Sequence, residues 1–188
     1  MKNFIQVFFY MIRKIQKKFS DEYYIKKSIK RGLKLGKNVI FVDMPNFGSE
    51  PFLIEIGDNT KITSGVRFIN HDGGNYVIKN MLKYEDARNV GRIKIGNNCF
   101  IGNNCIILPN VKIGNNCILG AGAVLTKSMP DNTVYAGNPA KFICTIEEYA
   151  DKMLKNTTKY PRELEKNRKE LEKYWAEKLP YEYKKDTY

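Results

Sequence analysis

The 188-residue sequence predicts an all-β solenoid of six-residue repeats with α-helices at both ends. From Ile95 onward, every sixth residue is a branched aliphatic as far as Leu125. Helices need an apolar period near 3.6 residues and strands a period of 2, so neither alone explains this spacing. A very short strand followed by a sharp bend does explain it, and a short fixed repeat is typical of solenoids.

The positions between the aliphatics indicate where the chain bends. Asn-Asn pairs stand at 97–98, 103–104 and 115–116, and Ala121-Gly122 takes the same place in a later repeat. These residues tolerate the left-handed backbone angles that a sharp bend requires. Three strand-and-bend units would close one triangular coil, and successive coils would stack as parallel strands.

The cysteines and the single histidine argue against a bound metal. Cys99, Cys105 and Cys117 fall at the small inward position of the repeat, where a cysteine packs as a small hydrophobe. There is no Cys-x-x-Cys, and His71 is the only imidazole, which excludes sites that need several histidines from one chain. We therefore expect core packing for these three cysteines and no metal cofactor.

The repeat begins before Ile95 and is interrupted once. Ile56–Thr60 reads IGDNT and Leu35–Val39 reads LGKNV, so the same pattern predicts earlier coils. Ile56 and Ile95 are 39 residues apart, which is not a multiple of six, and the register must break between them. We expect an extruded loop at about 73–92, directly after His71, and long loops in compact domains are often functional.

The ends of the chain differ from the repeat. The pattern predicts three parts: a helical basic arm at 1–34, the repeat domain at 35–143 and a charged helical extension at 144–188, in which Pro161 suits a helix start. Residues 1–40 hold eleven Lys or Arg and two acidic residues, against a formal net charge of +12 for the whole chain.

The basic arm suggests two kinds of contact. Its apolar run Phe4–Ile12, followed by Arg13, Lys14, Lys17 and Lys18, could lie on an anionic membrane surface. The alternative is a helix that packs on its own domain or on a neighbouring subunit. The run is shorter than the ~20 residues that span a bilayer, and no convincing secretory signal is present. We expect a cytoplasmic protein, free or peripherally membrane-bound, and no nucleic-acid partner, since no such motif is visible.

Residues 56–143 resemble the hexapeptide-repeat acyltransferases. Gly120–Ile143 (GAGAVLTKSMPDNTVYAGNPAKFI) is similar to the last coil and part of the acetyl-CoA site in the branch that holds galactoside, maltose and xenobiotic acetyltransferases. Phe68–Gly74 (FINHDGG) resembles a subgroup linked to capsule or other surface polysaccharide modification. The resemblance implies a left-handed parallel β-helix, a homotrimer with active sites between subunits, and acetyl-CoA as cosubstrate. The left hand rests on the resemblance alone, because the general rule for parallel crossovers gives the right hand.

The resemblance also assigns the catalytic residues. His71 stands where the family has its catalytic histidine, and a neutral imidazole suits removal of a hydroxyl proton as the new bond forms. Asp72 could orient that imidazole or could form a turn with the glycines that follow. The acceptor would contact Asp43, where the family has Asn, or the nearby Asn46.

The remaining site residues are assigned to the two substrates. In the loop, Tyr84 and Arg88 suit a sugar and an acidic sugar respectively. The positions carried over for coenzyme A are Asn103, Ala121, Thr126, Lys127 and Lys141, and Gly122 joins them because small residues let the pantetheine arm approach the backbone. The two lysines suit the phosphates as point charges.

The leading hypothesis is therefore an acetyl-CoA-dependent O-acetyltransferase that acts on a carbohydrate hydroxyl by direct transfer. Two alternatives stay open. One is an N-acyltransferase acting on an amino sugar, and the other is a non-catalytic solenoid used for assembly or membrane association.

Overall fold

The fold is known from a computed structural model, which describes the backbone of residues 2–81 and 84–179. Within that range the side chains of 2–10, 13, 14, 17 and 18 are not described. Internal packing defines two compact units, Met1–Asp151 and Lys152–Tyr188. The first unit holds all of the strands described below.

Short strands follow one another along the first unit. They are β1 Lys34–Leu35, β2 Ile40–Phe41, β3 Ile54–Ile56, β4 Lys61–Ile62, β5 Arg67–Phe68, β6 Ile93–Ile95, β7 Phe100–Ile101, β8 Ile106–Ile107, β9 Val111–Ile113, β10 Ile118–Leu119, β11 Val124–Leu125, β12 Thr133–Ala136 and β13 Lys141–Thr145.

The strands form three sheets that the chain visits in rotation. Sheet A has the order β1-β3-β6-β9, sheet B the order β13-β12-β10-β7-β4-β2, and sheet C the order β11-β8-β5. All pairs are parallel except β12 with β13, which is antiparallel. We call one passage through A, B and C a coil: coil 2 is β3–β5, coil 3 is β6–β8 and coil 4 is β9–β11. Coil 1 is β1, β2 and Asn46, which bridges to Arg67.

The aliphatic positions of the repeat build the core. The six predicted inward residues are all fully buried: Ile95, Ile101, Ile107, Ile113, Leu119 and Leu125. Cys99, Cys105 and Cys117 are buried among them, which confirms their predicted packing role. Burial of this much apolar surface is the main stabilising contribution to such a fold.

Asparagines make the bends between sheets A and B, as predicted. Asn38, Asn59, Asn98, Asn116 and Asn132 all have positive φ, between 53° and 60°. Their amides also bond between coils, with Asn98 Nδ2 donating to Asn116 Oδ1 at 2.9 Å and Asn116 Nδ2 to Asn132 Oδ1 at 2.8 Å. Asparagine suits both tasks, because it tolerates the left-handed region and carries a donor and an acceptor.

Burial makes a prediction about thiol chemistry. The four cysteines are free, and Cys144 alone among them is half-buried. Burial raises the pKa of the Cys105 thiol, which keeps it protonated. A hydrogen bond from Cys99 lowers the pKa of Cys117 to about 6, but both side chains are buried and closed to a reagent. We expect one fast-reacting thiol in the native protein and four after denaturation, counted with a chromogenic disulfide reagent. Cys144→Ser should abolish the fast phase, and two or more fast thiols in the native protein would contradict the packing.

The extruded loop leaves the solenoid between β5 and β6, close to the predicted position. Its neck is closed by backbone bonds from Gly91 N to Asn70 O at 2.7 Å and from Asp72 N to Asn89 O at 2.9 Å. The short helix α2, Asn75–Ile78, lies within the loop. The loop therefore projects from the bend between sheets C and A, and His71 stands at its base.

A long helix precedes the strands. Helix α1 covers Lys2–Lys30, and its end packs on coil 1, where the Tyr24 ring stacks on Phe47 at a centroid distance of 5.8 Å. The side chains of 4–10 and the basic residues Arg13, Lys14, Lys17 and Lys18 lie outside the described residues. Within the described part of the chain, no helix is both long and apolar enough to cross a membrane.

Two further helices follow the strands. Helix α3, Ile146–Lys155, begins with a reciprocal cap in which Glu148 N donates to Thr145 Oγ1 at 3.2 Å. Helix α4, Arg168–Lys178, begins only after Asn167, whose side chain caps it. A helix does start directly after Pro161, as predicted, but it is the short 3₁₀ helix Arg162–Lys166, and α4 follows it.

Candidate active site

His71 forms a hydrogen bond with Glu50 at the base of the loop. The imidazole Nδ1 lies 2.9 Å from Glu50 Oε2, and the two side chains are 48% and 26% exposed. Coil 1 stacks on coil 2 with an offset of 21 residues, as in the pair Lys34–Glu55. Glu50 precedes His71 by the same offset, so the stacking of the two coils places the carboxylate beside the imidazole.

The charge of Glu50 is stabilised by its neighbours. Burial alone would raise its pKa, but hydrogen bonds from Ser49 and His71 and the charges of His71 and Arg31 hold the pKa below the ordinary 4.5. The Arg31 guanidinium also donates to the Ser49 carbonyl. Glu50 is therefore ionised at neutral pH. Because its pKa is lowered, its contribution to folding stability is complete above pH 4.5 and is lost as the pH falls through the lowered pKa.

The hydrogen bond to Glu50 gives the imidazole a defined chemical role. A carboxylate at Nδ1 accepts the Nδ1 proton, which leaves Nε2 of the neutral ring as a lone-pair acceptor. The same carboxylate stabilises the imidazolium that forms when Nε2 takes up a proton. His71 is half-exposed, so a substrate can reach Nε2 from solvent.

Asp72 has a different partner. Its Oδ1 accepts a hydrogen bond from Gly74 N at 2.7 Å, which forms the turn at the entrance of the loop. The carboxylate at the imidazole is Glu50, 21 residues upstream, and not the adjacent Asp72. The structure thus supports the turn-forming alternative for Asp72.

Loop residues line a cavity that borders the neck of the loop at Asp72 and Asn89. Asp72 and Arg88 both contribute to its walls, and its volume is about 330 Å³. The Arg88 guanidinium donates to the carbonyls of Glu85 and Ala87 at 2.9 and 3.0 Å, which stiffens the loop. Tyr84 is 44% exposed on the loop.

Several predicted site residues stack at the bend between sheets B and C, here called the B–C corner. Asn103 Oδ1 accepts from Ser64 N at 3.2 Å, and Gly122 N donates to Asn103 O at 2.7 Å. Ala121, next to Gly122, is exposed there. The offset of 21 residues places Asp43 of coil 1 level with Ser64 of coil 2. Asp43 Oδ1 accepts a hydrogen bond from Met44 N at 3.0 Å.

Two more predicted residues lie near the B–C corner. Asn46 follows it at the start of sheet C, and its Oδ1 accepts from Gly48 N at 2.8 Å. Lys141 is opposite Ala136 in β13, and Ala136 packs on Gly120, the residue that begins the corner of coil 4. Lys141 is exposed.

The other two donor residues lie at the bend between sheets C and A, the C–A corner. Thr126 and Lys127 follow β11 and are exposed. Leu125 is level with Ile107 and Phe68, so Lys127 is level with Asn70 two coils earlier. Because adjacent strands are about 4.8 Å apart, the backbone of Lys127 lies about 10 Å from Asn70 at the neck of the loop. Within one chain, sheet C separates this corner from the B–C corner, so the predicted site residues form two groups.

Substitution of Glu50 tests the role of its hydrogen bond to His71. In Glu50→Gln we expect kcat to fall about tenfold, since a partly exposed hydrogen bond to a charged group is worth ~1.5 kcal/mol and each 1.36 kcal/mol is a factor of ten. Glu147→Gln, an exposed carboxylate of α3, is the control. An unchanged rate in Glu50→Gln would exclude this role.

Comparisons with known proteins define the class of the chain. The model of the family "bacterial transferase hexapeptide (six repeats)" matches residues 92–127. Protein CapG of Staphylococcus aureus is 50% identical over 144 residues, which cover 76% of this chain and 82% of CapG. The chain belongs to the hexapeptide-repeat acetyltransferases, and it is an acyltransferase.

More distant relatives share only parts of their length with it. Galactoside O-acetyltransferase of Escherichia coli is 36% identical over 101 residues, 53% of this chain and 47% of that protein. The structure of a hexapeptide-repeat-containing acetyltransferase from Vibrio cholerae matches with a TM-score of 0.52 at 18% identity, over 67% of this chain and 81% of that one. This likeness supports a shared fold. The chain spans only 40% of soybean serine acetyltransferase, at a TM-score of 0.46 and 28% identity over 60% of this chain.

Proposed function

We propose that this protein is an acetyl-CoA-dependent O-acetyltransferase that acts on a sugar hydroxyl, with His71 as general base. The half-exposed imidazole, held by an ionised carboxylate at the base of the loop, is the observation that carries the proposal. Membership of an acetyltransferase family supplies the reaction type. The relative named galactoside O-acetyltransferase supports a sugar as acceptor.

The proposed reaction is a direct transfer. Nε2 of His71 accepts the proton of the acceptor hydroxyl as its oxygen attacks the thioester carbonyl, so a C–O bond forms and the C–S bond then breaks. The proton returns from the imidazolium to the departing thiolate, and Glu50 stabilises the charge in between. Base and acid are the same residue, so no covalent enzyme intermediate is needed.

The donor would lie along the B–C corner. A side-chain carbon added at Gly122 would meet nothing within 4 Å, so an extended pantetheine arm has room against the backbone. Ala121 directly precedes Gly122, and Asn103 is level with Ala121 one coil earlier. Lys141 beside this corner, and Lys127 at the C–A corner of an adjoining subunit, are both exposed and would bind phosphates.

The division into two corners supports a site built from two subunits. We propose a left-handed β-helix that assembles as a homotrimer, so that the B–C corner of one subunit meets the C–A corner of the next. Each contact would bring a donor group beside a His71–Glu50 pair. A single chain cannot do so, because sheet C lies between the two corners.

The N-terminal helix completes the proposal about location. Met11, Ile15, Phe19 and Tyr23 recur every fourth residue of α1, and each is more than half exposed. This stripe, together with the basic composition of the arm, supports peripheral contact with an anionic membrane by a protein of the cytoplasm. Co-sedimentation with anionic but not neutral vesicles tests that part separately.

The experiment that tests the function is a calorimetric titration with acetyl-CoA. Micromolar binding corresponds to about −8 kcal/mol and would be followed by acceptor screening. An alkali-labile product identifies an ester, whereas a stable amide would favour N-acylation of an amino sugar. Absence of binding up to millimolar acetyl-CoA would overturn the proposal and favour a carrier-protein donor or the non-catalytic scaffold.

A further inference from the structure

The outer face of sheet A carries a row of charged side chains. Lys34, Glu55, Lys94 and Lys112 are level with one another on four adjacent strands. With Arg92 and Phe52 they line an open cavity of about 420 Å³, here called the sheet A groove. No group of the described site lies in it, so the mechanism above does not account for its composition.

The groove is strongly basic. Its lining holds four cations, Lys34, Arg92, Lys94 and Lys112, against the one carboxylate of Glu55. Lys94 Nζ bonds Glu55 Oε1 at 2.6 Å. That bond, with the charges of Lys94, Lys34 and Arg92, outweighs burial and lowers the pKa of Glu55, so the carboxylate is ionised and neutralises one cation. Three positive charges remain.

One part of this arrangement sets like charges opposite one another. Lys94 and Lys112 are directly opposite on neighbouring strands, about 4.8 Å apart in backbone position, and like charges so placed destabilise a sheet. All four cations are exposed, so an anion in solution can reach them. An anionic ligand would relieve the repulsion.

The groove adjoins the candidate active site. Phe52 follows Glu50 by two residues, and Arg92 follows Gly91, which closes the neck of the loop. The Phe52 ring is 57% exposed at the wall of the groove. An exposed aromatic ring can pack on the apolar face of a sugar, while Arg and Lys pair with a carboxylate or phosphate.

We infer that the acceptor is an acidic glycan. Its carboxylate or phosphate groups bind in the sheet A groove, and a hydroxyl of a neighbouring sugar unit reaches Nε2 of His71. The inference rests on the proposed function and names its substrate class. The groove is open along its length, which fits a chain of sugar units better than an enclosed small molecule.

The test measures binding of defined polymers to the full chain by calorimetry. Oligogalacturonate supplies carboxylates, poly(glycerol phosphate) supplies phosphates, and dextran is the neutral control. We expect one or both acidic polymers to bind, with affinity falling as salt is raised, and dextran not to bind. The polymer that binds identifies the anionic group. Equal binding of dextran would overturn the inference.

Variants of the groove lysines test whether the acidic polymer binds in the sheet A groove. The double variant Lys34→Ser, Lys112→Ser leaves the Glu55–Lys94 pair intact and should weaken acidic polymer binding about tenfold. Lys169→Ser, Lys173→Ser on α4 removes the same charge and should leave it unchanged. Unchanged polymer binding in the Lys34→Ser, Lys112→Ser variant would overturn the inference. Loss of acetyl-CoA binding in that variant would also overturn it, because the groove would then belong to the donor site. If wild type binds the polymer but not acetyl-CoA, the proposed function fails while the groove assignment stands.

Discussion

Replacing His71 by alanine is expected to lower kcat for acetyl transfer by about 10²- to 10⁴-fold, the usual contribution of a general base. The affinity for acetyl-CoA should remain, because the donor positions are at other places in the stack. His71 is the only histidine of the chain, so no second imidazole can substitute for it. The measurement is steady-state kinetics on the acceptor that the screen identifies.

Chemical rescue separates a base from a structural residue. The His71 side chain is 48% exposed, so added imidazole can enter the space that the alanine leaves. We expect the activity of His71→Ala to rise with imidazole concentration, and that of wild type to stay constant. A fold that merely needed the ring would show a lowered melting temperature and no rescue. Full activity in His71→Ala would exclude catalysis by this residue and favour the scaffold alternative.

The repeat was predictable because its inward positions obey a strict rule. The interior of a three-sided coil accepts only residues of a narrow size and polarity, so Ile95 and its successors recur at a fixed spacing. The bends obey a second rule, since few residues adopt the left-handed region, and the Asn-Asn pairs identify them. These two rules sufficed for the parallel sheets and for the position of the loop.

The Glu50–His71 pair was missed, although the sequence contains a signal for it. The motif at Leu35–Val39 recurs at Ile56–Thr60, which gives an offset of 21 residues between the first two coils. Subtracting this offset from His71 gives Glu50. Stacking of coils, rather than adjacency along the chain, determines which side chains meet in a solenoid.

Other features could not be predicted from the repeat. The path of the loop depends on its own local bonds, such as those of Arg88 with neighbouring carbonyls. The division of the site residues between two corners needed the sheet to which each belongs. The helical pattern that follows Pro161 divides into a 3₁₀ helix and α4, because the Asn167 side chain caps a new helix start by accepting from Lys169 N and Glu170 N.

Truncation of a core side chain is expected to lower the stability of the fold by a large amount. Leu119 is fully buried in sheet B, between Ile101 of coil 3 and Tyr135 of β12. Leu119→Ala would leave a cavity that the flanking coils cannot fill, because hydrogen bonds between strands fix their spacing. We expect a loss of about 2–5 kcal/mol in the free energy of unfolding, and a melting temperature lower by roughly 5–15 °C.

The adjacent residue provides a matched control. Ile118 loses the same atoms on mutation to alanine, but it points to the outer face of the same strand and is only half-buried. We expect Ile118→Ala to cost less than about 1.5 kcal/mol, since successive residues of a strand face opposite sides. Both variants are compared with wild type at one protein concentration, because assembly also contributes to stability. Equal losses would show that the interior of the coils is not the stabilising core, whereas a large difference locates the stability in the stacked aliphatic columns that hold Glu50 beside His71.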